Sequence, residues 1–248
     1  MQCRAAPGEG LAVLMPPGRR LLARTLGLWL AAALPALPVA AQVPPSSAQL
    51  ARYSGLHAAA HRGDLVDLDR LLAGKADVDA RDAQGRTPLH VATFARQREA
   101  IRHLAKAGAD LGALENDRYD AVTIAAVADD EETLRVLLAL GASARLTTSR
   151  YDGTALIAAA HLGHDGVVRR LIAAGAPLDH VNNLHWTALI EAIVLGDGGA
   201  RHVATLVALL NAGASTALAD REGRTPLALA RSRGYTPMVL LLERAGAQ

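Results

Sequence analysis

The sequence predicts an all-α solenoid of about six helix-turn-helix repeats with short β-hairpin-like turns. Three observations predict this fold. A stretch of about 33 residues, 81–113, recurs along most of the chain. Its copies open with a helix N-cap signal such as Thr87–Pro88, and most close with Gly–Ala, as at Gly108–Ala109. Between these marks, apolar residues follow the three- and four-residue spacing of helices.

Two short helices are predicted within this stretch. Thr87 can cap the first of these helices. Pro88 suits the opening position of that helix, because a backbone N–H there would have no partner within the helix. The second helix is expected over residues 98–107, with Ile101 and Leu104 on its apolar side. Helices of this length are marginal alone, so the stable unit is a stack of copies that bury one another's apolar faces.

The signature Thr87–Pro88–Leu89–His90 and the period of about 33 residues resemble those of ankyrin repeats. Related signatures begin at Thr154, Thr187 and Thr225. The resemblance covers nearly all of the chain beyond an N-terminal segment and implies a domain over residues 51–248. The implied repeats span residues 47–80, 81–113, 114–146, 147–180, 181–218 and 219–248.

Several copies depart from the pattern. Lys75 stands where repeat two has Gly108, which predicts a local adjustment of the backbone. Asp120 replaces the capping Thr, and Asp129 replaces the Gly expected between the helices of repeat three. In repeat five the closing Gly–Ala arrives five residues late, and the extra residues are placed between the helices, at 197–201.

Residues 1–41 predict a secretory signal peptide. A basic segment, 18–24, precedes an apolar run, 26–39, and small residues then allow cleavage after Ala41. This pattern predicts a bacterial periplasmic or secreted protein, with residues 42–50 as a polar linker. The alternatives are an uncleaved membrane anchor, a start at Met15 and export by the twin-arginine route.

Charge and cysteine content narrow the classes of function. Cleavage would remove four of 26 basic and one of 24 acidic residues, leaving a net charge of about −1. No basic field would remain to attract nucleic acid. Cleavage would also remove Cys3, the sole cysteine, and with it any thiolate chemistry. We expect a monomer without cofactor, metal or stable membrane insertion.

Catalytic and metal-binding patterns are weak. The pairs His57/His61 and His161/His164 have helical spacing that could hold a metal, but no third ligand is apparent. The resemblance assigns His57 and His90 to backbone hydrogen bonding near the turns. The acidic run 129–132 suits a helix start, where it complements the helix dipole. The sequence therefore predicts no enzyme, although a hydrolase using His161, Glu191 or Asp197 is kept as an alternative.

Protein binding is better supported. The resemblance implies a concave face lined by the turns and the first helices. Phe94, Val127 and Val194 occupy one position of these helices, where they either form an apolar strip or pack between repeats. Aromatic and arginine side chains on the turns are of the types enriched in interface hot spots. The predicted protein-binding residues are Arg86, Phe94, Arg118, Tyr119, Val127, Tyr151, Asp152, His161, His185, Trp186, Glu191, Asp197 and Arg224.

The sequence-based hypothesis is an exported, non-catalytic module that binds another protein through its concave face. An alternative within binding is an inhibitor or immunity-type partner of a secreted enzyme. The insertion after Gly196 is either a recognition loop or a tolerated surface loop, and Asp197 and Arg201 are expected to pair across it.

Overall fold

The computed structural model of the protein describes residues 42–247, so the predicted signal peptide lies outside the described residues. The described chain contains thirteen α-helices and one two-stranded sheet. The helices are α1 Ser47–Leu50, α2 Gly55–Arg62, α3 Leu65–Ala73, α4 Pro88–Phe94, α5 Arg98–Lys106, α6 Ala121–Val127, α7 Glu131–Ala139, α8 Ala155–His161, α9 Asp165–Ala173, α10 Ala188–Val194, α11 Ala200–Asn211, α12 Pro226–Ser232 and α13 Thr236–Arg244.

Six helix pairs stack in two layers. The first helices of successive repeats, α2, α4, α6, α8, α10 and α12, pack side by side in one layer. The second helices, α3, α5, α7, α9, α11 and α13, form the other layer in the same order. The predicted helical solenoid is therefore confirmed, and each repeat contacts mainly its neighbours.

Small side chains allow the first helices to lie close together. Ala60, Ala92 and Ala160 are fully buried between neighbouring helices, while Leu104 and Leu137 fill the space toward the second layer. A buried leucine stabilises the fold by about 1.5–3 kcal/mol relative to an exposed one. The core is one continuous cluster that runs from repeat one to repeat six.

Side-chain caps fix where the first helices begin. The Thr87 hydroxyl caps α4, and the Asp120 carboxylate accepts from Thr123 N at 2.8 Å at the start of α6. Thr154 and Thr187 cap α8 and α10 in the same way. Burial raises the pKa of Asp120, although its hydrogen bonds from Thr123 act in the opposite direction. The prediction that Asp120 caps α6 in place of Thr is confirmed.

The turns between repeats, called fingers below, form narrow hairpin-like loops. Four of them close with one backbone bond of the same kind, such as Asp82 N to Arg86 O at 3.0 Å. Only in repeat four do the described residues form strands, β1 Thr147–Thr148 and β2 Gly153–Thr154, which pair antiparallel. Backbone bonds also join one finger to the next, as from Ser149 N to Arg118 O at 2.8 Å.

Seven non-glycine residues of the described chain have a positive φ, and two of them stand where the sequence pattern predicts glycine. Lys75 has a φ of 63° just after α3, where Gly108 has a φ of 92°, so the backbone keeps the glycine conformation and the local adjustment predicted there is wrong. Asp129 has a φ of 52° between α6 and α7. Both residues accept a strained backbone in order to keep the repeat geometry.

The insertion in repeat five differs from its prediction. The connection occupies residues 195–199, and α11 has twelve residues where the other second helices have nine. Part of the insertion therefore lengthens the helix, because Gly199 provides an N-cap in extended conformation and Ala200 begins the helix.

The predicted pairing of Asp197 with Arg201 is wrong. Arg201 Nη2 lies 2.7 Å from Asp129 Oδ2, two repeats away, while Asp197 accepts from Gly199 N at 2.8 Å. An imidazole nitrogen, His202 Nδ1, also lies 2.8 Å from Asp197 Oδ1. The pKa of Asp197 is lowered by these bonds from Gly199 and His202.

The predicted linker is structured and lies against repeat two. It includes α1, whose start is fixed by a capping box between Ser46 and Gln49. Val43 O accepts a hydrogen bond from Arg86 Nη2 at 2.7 Å. Within residues 42–247, we find no helix with the length and apolar character needed to cross a membrane.

Candidate functional site

One position of the first helices forms a row along the layer. Phe94, Val127, His161 and Val194 occupy equivalent places near the ends of α4, α6, α8 and α10, and all four are half-buried. We call this row, together with the fingers beside it, the first-helix face. The row is thus partly open to solvent and partly packed between repeats, which combines the two predicted arrangements.

The aromatic finger residues are also half-buried. Tyr119, Tyr151 and Trp186 follow one another on the fingers of repeats three, four and five. Burial raises the pKa of the Tyr119 hydroxyl, so it stays protonated. Each aromatic side chain is therefore partly packed and partly available at the surface.

Several predicted binding residues are engaged with neighbouring fingers. Arg118 Nη1 lies 3.4 Å from Asp152 Oδ1, and Arg150 Nη2 lies 2.7 Å from Asp117 Oδ1. These two ion pairs cross the same finger boundary in opposite directions. Arg118 and Asp152 thus help to align the fingers, in addition to any contact with a partner.

Arg224 is paired within its own finger. Its guanidinium lies 2.7 Å from Asp220 Oδ2 and 3.1 Å from Glu222 Oε2. Burial would raise the pKa of Asp220, but the bonds from Arg224 outweigh burial and lower it. His185, by contrast, is exposed at the tip of the finger in repeat five, with a φ of 64°.

Arg86 does not lie on the surface as predicted. It is only 5% exposed, because Val43 of the linker covers it and the ring of Phe94 lies 5.5 Å from its Cζ. Its Nε and Nη1 atoms are buried without a hydrogen-bond partner. The sequence offered no signal for this burial, since the path of residues 42–46 depends on tertiary contacts.

Glu191 is the unexpected residue of the first-helix face. It is 4% exposed although it carries a carboxylate. Its Oε1 accepts from Asn182 Nδ2 at 3.0 Å, and its Oε2 lies 3.4 Å from His161 Nδ1. The structure thus brings His161 and Glu191 together and leaves Asp197 apart, in contact with His202. Asn182 was missed by the sequence analysis.

Three further histidines hydrogen-bond to backbone carbonyl oxygens of a neighbouring repeat. His57 Nε2 lies 2.9 Å from Arg86 O, and His90 Nε2 lies 3.1 Å from Tyr119 O, each in the following repeat. His164 Nδ1 lies 2.9 Å from Ala126 O of the preceding repeat. Among residues 42–247 there is no group of three or more His, Cys, Asp or Glu side chains that could hold a metal ion.

A cleft on the opposite layer does not involve these residues. It has a volume of about 500 Å³, lies between α9 and α11, and is lined mainly by apolar atoms of residues such as Ile172, Ala204 and Val207. The first-helix face itself is a surface, and the described residues place no acid, base and nucleophile around a common cavity there.

Comparisons with known proteins agree with the repeat geometry. A family model described as Ankyrin repeats (3 copies) matches residues 39–115 and 122–215. The ankyrin repeat protein YahD of Escherichia coli (strain K12) is 36% identical over 190 residues, which cover 76% of this chain and 94% of that protein. The B-cell lymphoma 3 protein homolog of Mus musculus is 30% identical over 77% of this chain, but over only 44% of its own length.

Solved structures include a similar bacterial domain. The ankyrin repeat domain from Acinetobacter baumannii AYE is 46% identical, has a TM-score of 0.74 and covers 78% of this chain and 98% of its own. Ankyrin repeats are typically non-catalytic modules that bind proteins. The stacked helix pairs, the capped first helices and these matches together show that the chain belongs to the ankyrin repeat family.

Proposed function

We propose that this protein is an exported, non-catalytic module that binds another protein through its first-helix face, the concave face of ankyrin repeats. The observation that carries the proposal is the row of half-buried Phe94, Val127 and Val194 at the same position of the first helices α4, α6 and α10. Apolar side chains aligned in this way gain further burial when a partner covers them.

Two further features support a rigid binding surface. Backbone bonds and ion pairs join adjacent fingers, such as Asn183 N to Tyr151 O at 2.9 Å. Aromatic residues on those fingers supply large contact areas at a small entropic cost. A surface fixed in advance loses little conformational freedom on binding.

The binding proposal is tested by crosslinking the protein to its partners in its native host. Changing Phe94, Val127 and Val194 together to Gln should weaken capture of the partner by about tenfold or more, because the apolar contact is lost. The matched control replaces Val66 and Leu240, exposed apolar residues of α3 and α13, with Gln.

The control variant should capture the same partner as the unchanged protein, and thermal melts should show both variants folded. Equal capture by the face variant and the unchanged protein would place the binding surface elsewhere.

The proposal of export is tested separately by N-terminal sequencing of the native protein. We expect Gln42 as the first residue, and recovery of an intact Met1 or Met15 from soluble cytoplasmic material would overturn export.

A further inference from the structure

Glu191 breaks a pattern that the other five repeats keep. The equivalent position of every other first helix carries an aliphatic side chain. In the structure Val91, Ile124 and Leu229 at this position are buried in the core. Glu191 is buried to the same degree, although an isolated ionised carboxylate is costly to remove from water. The full set at this position is Ala58, Val91, Ile124, Ala158, Glu191 and Leu229.

Half of the carboxylate has a dedicated partner. Asn182 uses its Oδ1 to accept from Leu184 N and Trp186 N, which shapes the finger, and its Nδ2 donates to Glu191 Oε1 at 3.0 Å. Repeats two and six use Asp82 and Asp220 to shape the same turn. An Asp at this position could accept the backbone bonds of the turn but could not donate to a carboxylate. Asn182 does both, so it provides Glu191 with a specific hydrogen-bond partner.

The other half of the carboxylate lacks a hydrogen bond. Glu191 Oε2 is buried and unbonded, with His161 Nδ1 at 3.4 Å as its near polar neighbour. No lysine or arginine of residues 42–247 forms an ion pair with Glu191. Arg150 and Arg201 of the same region are paired with Asp117 and Asp129. The carboxylate therefore has a free acceptor position and no lysine or arginine partner within the described residues.

His161 forms the outer wall of this site. It is the last residue of α8, and its side chain is 23% exposed on the first-helix face, while that of Glu191 is 5% exposed. A rotation of the imidazole toward solvent would uncover Oε2 without breaking a helix. The path to the carboxylate thus opens on the same surface as Phe94, Val127 and Val194.

We propose that Glu191 receives an arginine side chain of the partner protein, with His161 as its movable cover. The inference rests on the proposed function, because it identifies what the partner presents to the first-helix face. A guanidinium fits the site better than an ammonium, since it is more weakly hydrated and donates in a planar fork to carboxylate oxygens. His161 is a positioning residue in this scheme.

The test uses random-peptide display against the full-length protein. Peptides selected by the unchanged protein should be enriched in arginine, and selection against Glu191→Gln, which removes the charge at nearly constant shape, should lose that enrichment. For one selected peptide, replacing its arginine with neutral citrulline should weaken binding to the unchanged protein by about tenfold or more. Replacing it with lysine should give an intermediate loss.

A double-mutant cycle separates direct contact from indirect effects. The citrulline substitution should have almost no effect on binding to Glu191→Gln, since the charge it addresses is already gone. His161→Ala should bind the arginine peptide as tightly as the unchanged protein or more tightly, because the cover is removed. Thermal melts of both variants establish that they are folded.

Three results would overturn the inference. If the selected peptides bind equally well without arginine, the partner does not present a guanidinium to Glu191, although it can still bind this face. A failure to select any peptide would also contradict the inference. A loss of binding in His161→Ala equal to that in Glu191→Gln would assign recognition to the imidazole. The proposed function fails on a different result, namely equal capture of the partner by the unchanged protein and by the variant changed at Phe94, Val127 and Val194.

Discussion

At the scale of single residues, buried polar groups connect one repeat to the next. His90 is fully buried, and its Nδ1 accepts from Thr87 N at 3.0 Å. Its Nε2 therefore carries the proton and donates to Tyr119 O of the next repeat at 3.1 Å. Burial lowers the pKa of His90 to about 4, although the bond to Tyr119 acts in the opposite direction. Protonation of Nδ1 would remove the acceptor that Thr87 uses.

This pKa predicts a stability that depends on pH. Between pH 6.5 and about 4 the unfolded chain binds a proton at His90 and the folded protein does not. The free energy of unfolding should therefore fall as the pH drops through this window, by up to about 3 kcal/mol from this group. Urea unfolding at several pH values measures the loss.

The control is His90→Asn, which cannot titrate. It should be less stable than the unchanged protein at pH 7 because the hydrogen bond to Tyr119 is lost. Its free energy of unfolding should change less between pH 6.5 and 4. Identical pH dependences in the two proteins would show that His90 already binds a proton when folded.

At the scale of elements, the insertion in repeat five connects several repeats. Arg201 at the start of α11 pairs with Asp129 in repeat three, and His202 Nε2 lies 2.9 Å from His161 O in repeat four. On the other side, the Tyr235 hydroxyl donates to Gly196 O at 2.9 Å. The insertion is thus anchored on both sides, and these contacts favour a structural role for it.

Gly198 should be required for this anchoring. It has a φ of 70°, and a Cβ there would lie 2.6 Å from Cδ1 of Tyr235. Gly213 has a similar φ of 89° but open space around it. Gly213→Ala should cost about 1–2 kcal/mol for the left-handed backbone alone, and Gly198→Ala about 1–3 kcal/mol more because the Tyr235 ring must move. Urea unfolding of both variants gives the difference, and equal losses would mean that the ring shifts freely.

At the scale of the whole molecule, the second helices in the middle of the stack bury more side chains than those of the first and last repeats. The second helix of repeat three, α7, buries Thr133, Leu134, Val136 and Leu137. The second helix of repeat one, α3, buries only Leu68, and that of repeat six, α13, buries only Met238 and Leu242. In a repeat array each unit is stabilised mainly by its neighbours, so end repeats with one neighbour are weaker.

Hydrogen exchange should follow this gradient. Backbone amides of α3 and α13 are expected to exchange at lower opening free energies than those of α7, because fewer apolar contacts must break. Exchange measured by mass spectrometry at rising denaturant concentrations resolves the order. A single common opening free energy for all three helices would show that the array unfolds only as one unit.

The sequence predicted most of the stack because each repeat carries similar local signals, namely helix caps, apolar spacing and closing glycines. The second helix expected over 98–107 ends one residue earlier, at Lys106, and Ile101 and Leu104 are fully buried as predicted. Caps and glycines act within a few residues of their own position, so they can be recognised without knowledge of the fold.

The candidate site was predicted less completely because its contacts are distant in sequence. Nothing near Arg86 indicates that Val43 will cover it. The burial of Glu191 had a visible signal, since the other five repeats carry aliphatic residues at its position. Its partners Asn182 and His161 become apparent only when α8, α10 and the finger are assembled.

The bond between Val43 and Arg86 has a practical consequence for a tag attached directly to Gln42. Val43 O is bonded to Arg86, whose Cζ lies 5.5 Å from the Phe94 ring, so a tag at Gln42 would be tethered near the first-helix face at a high effective concentration. A tag that has any affinity for this face would therefore weaken the measured binding of a partner to it. A tag attached beyond α13, in repeat six, avoids this proximity to Phe94.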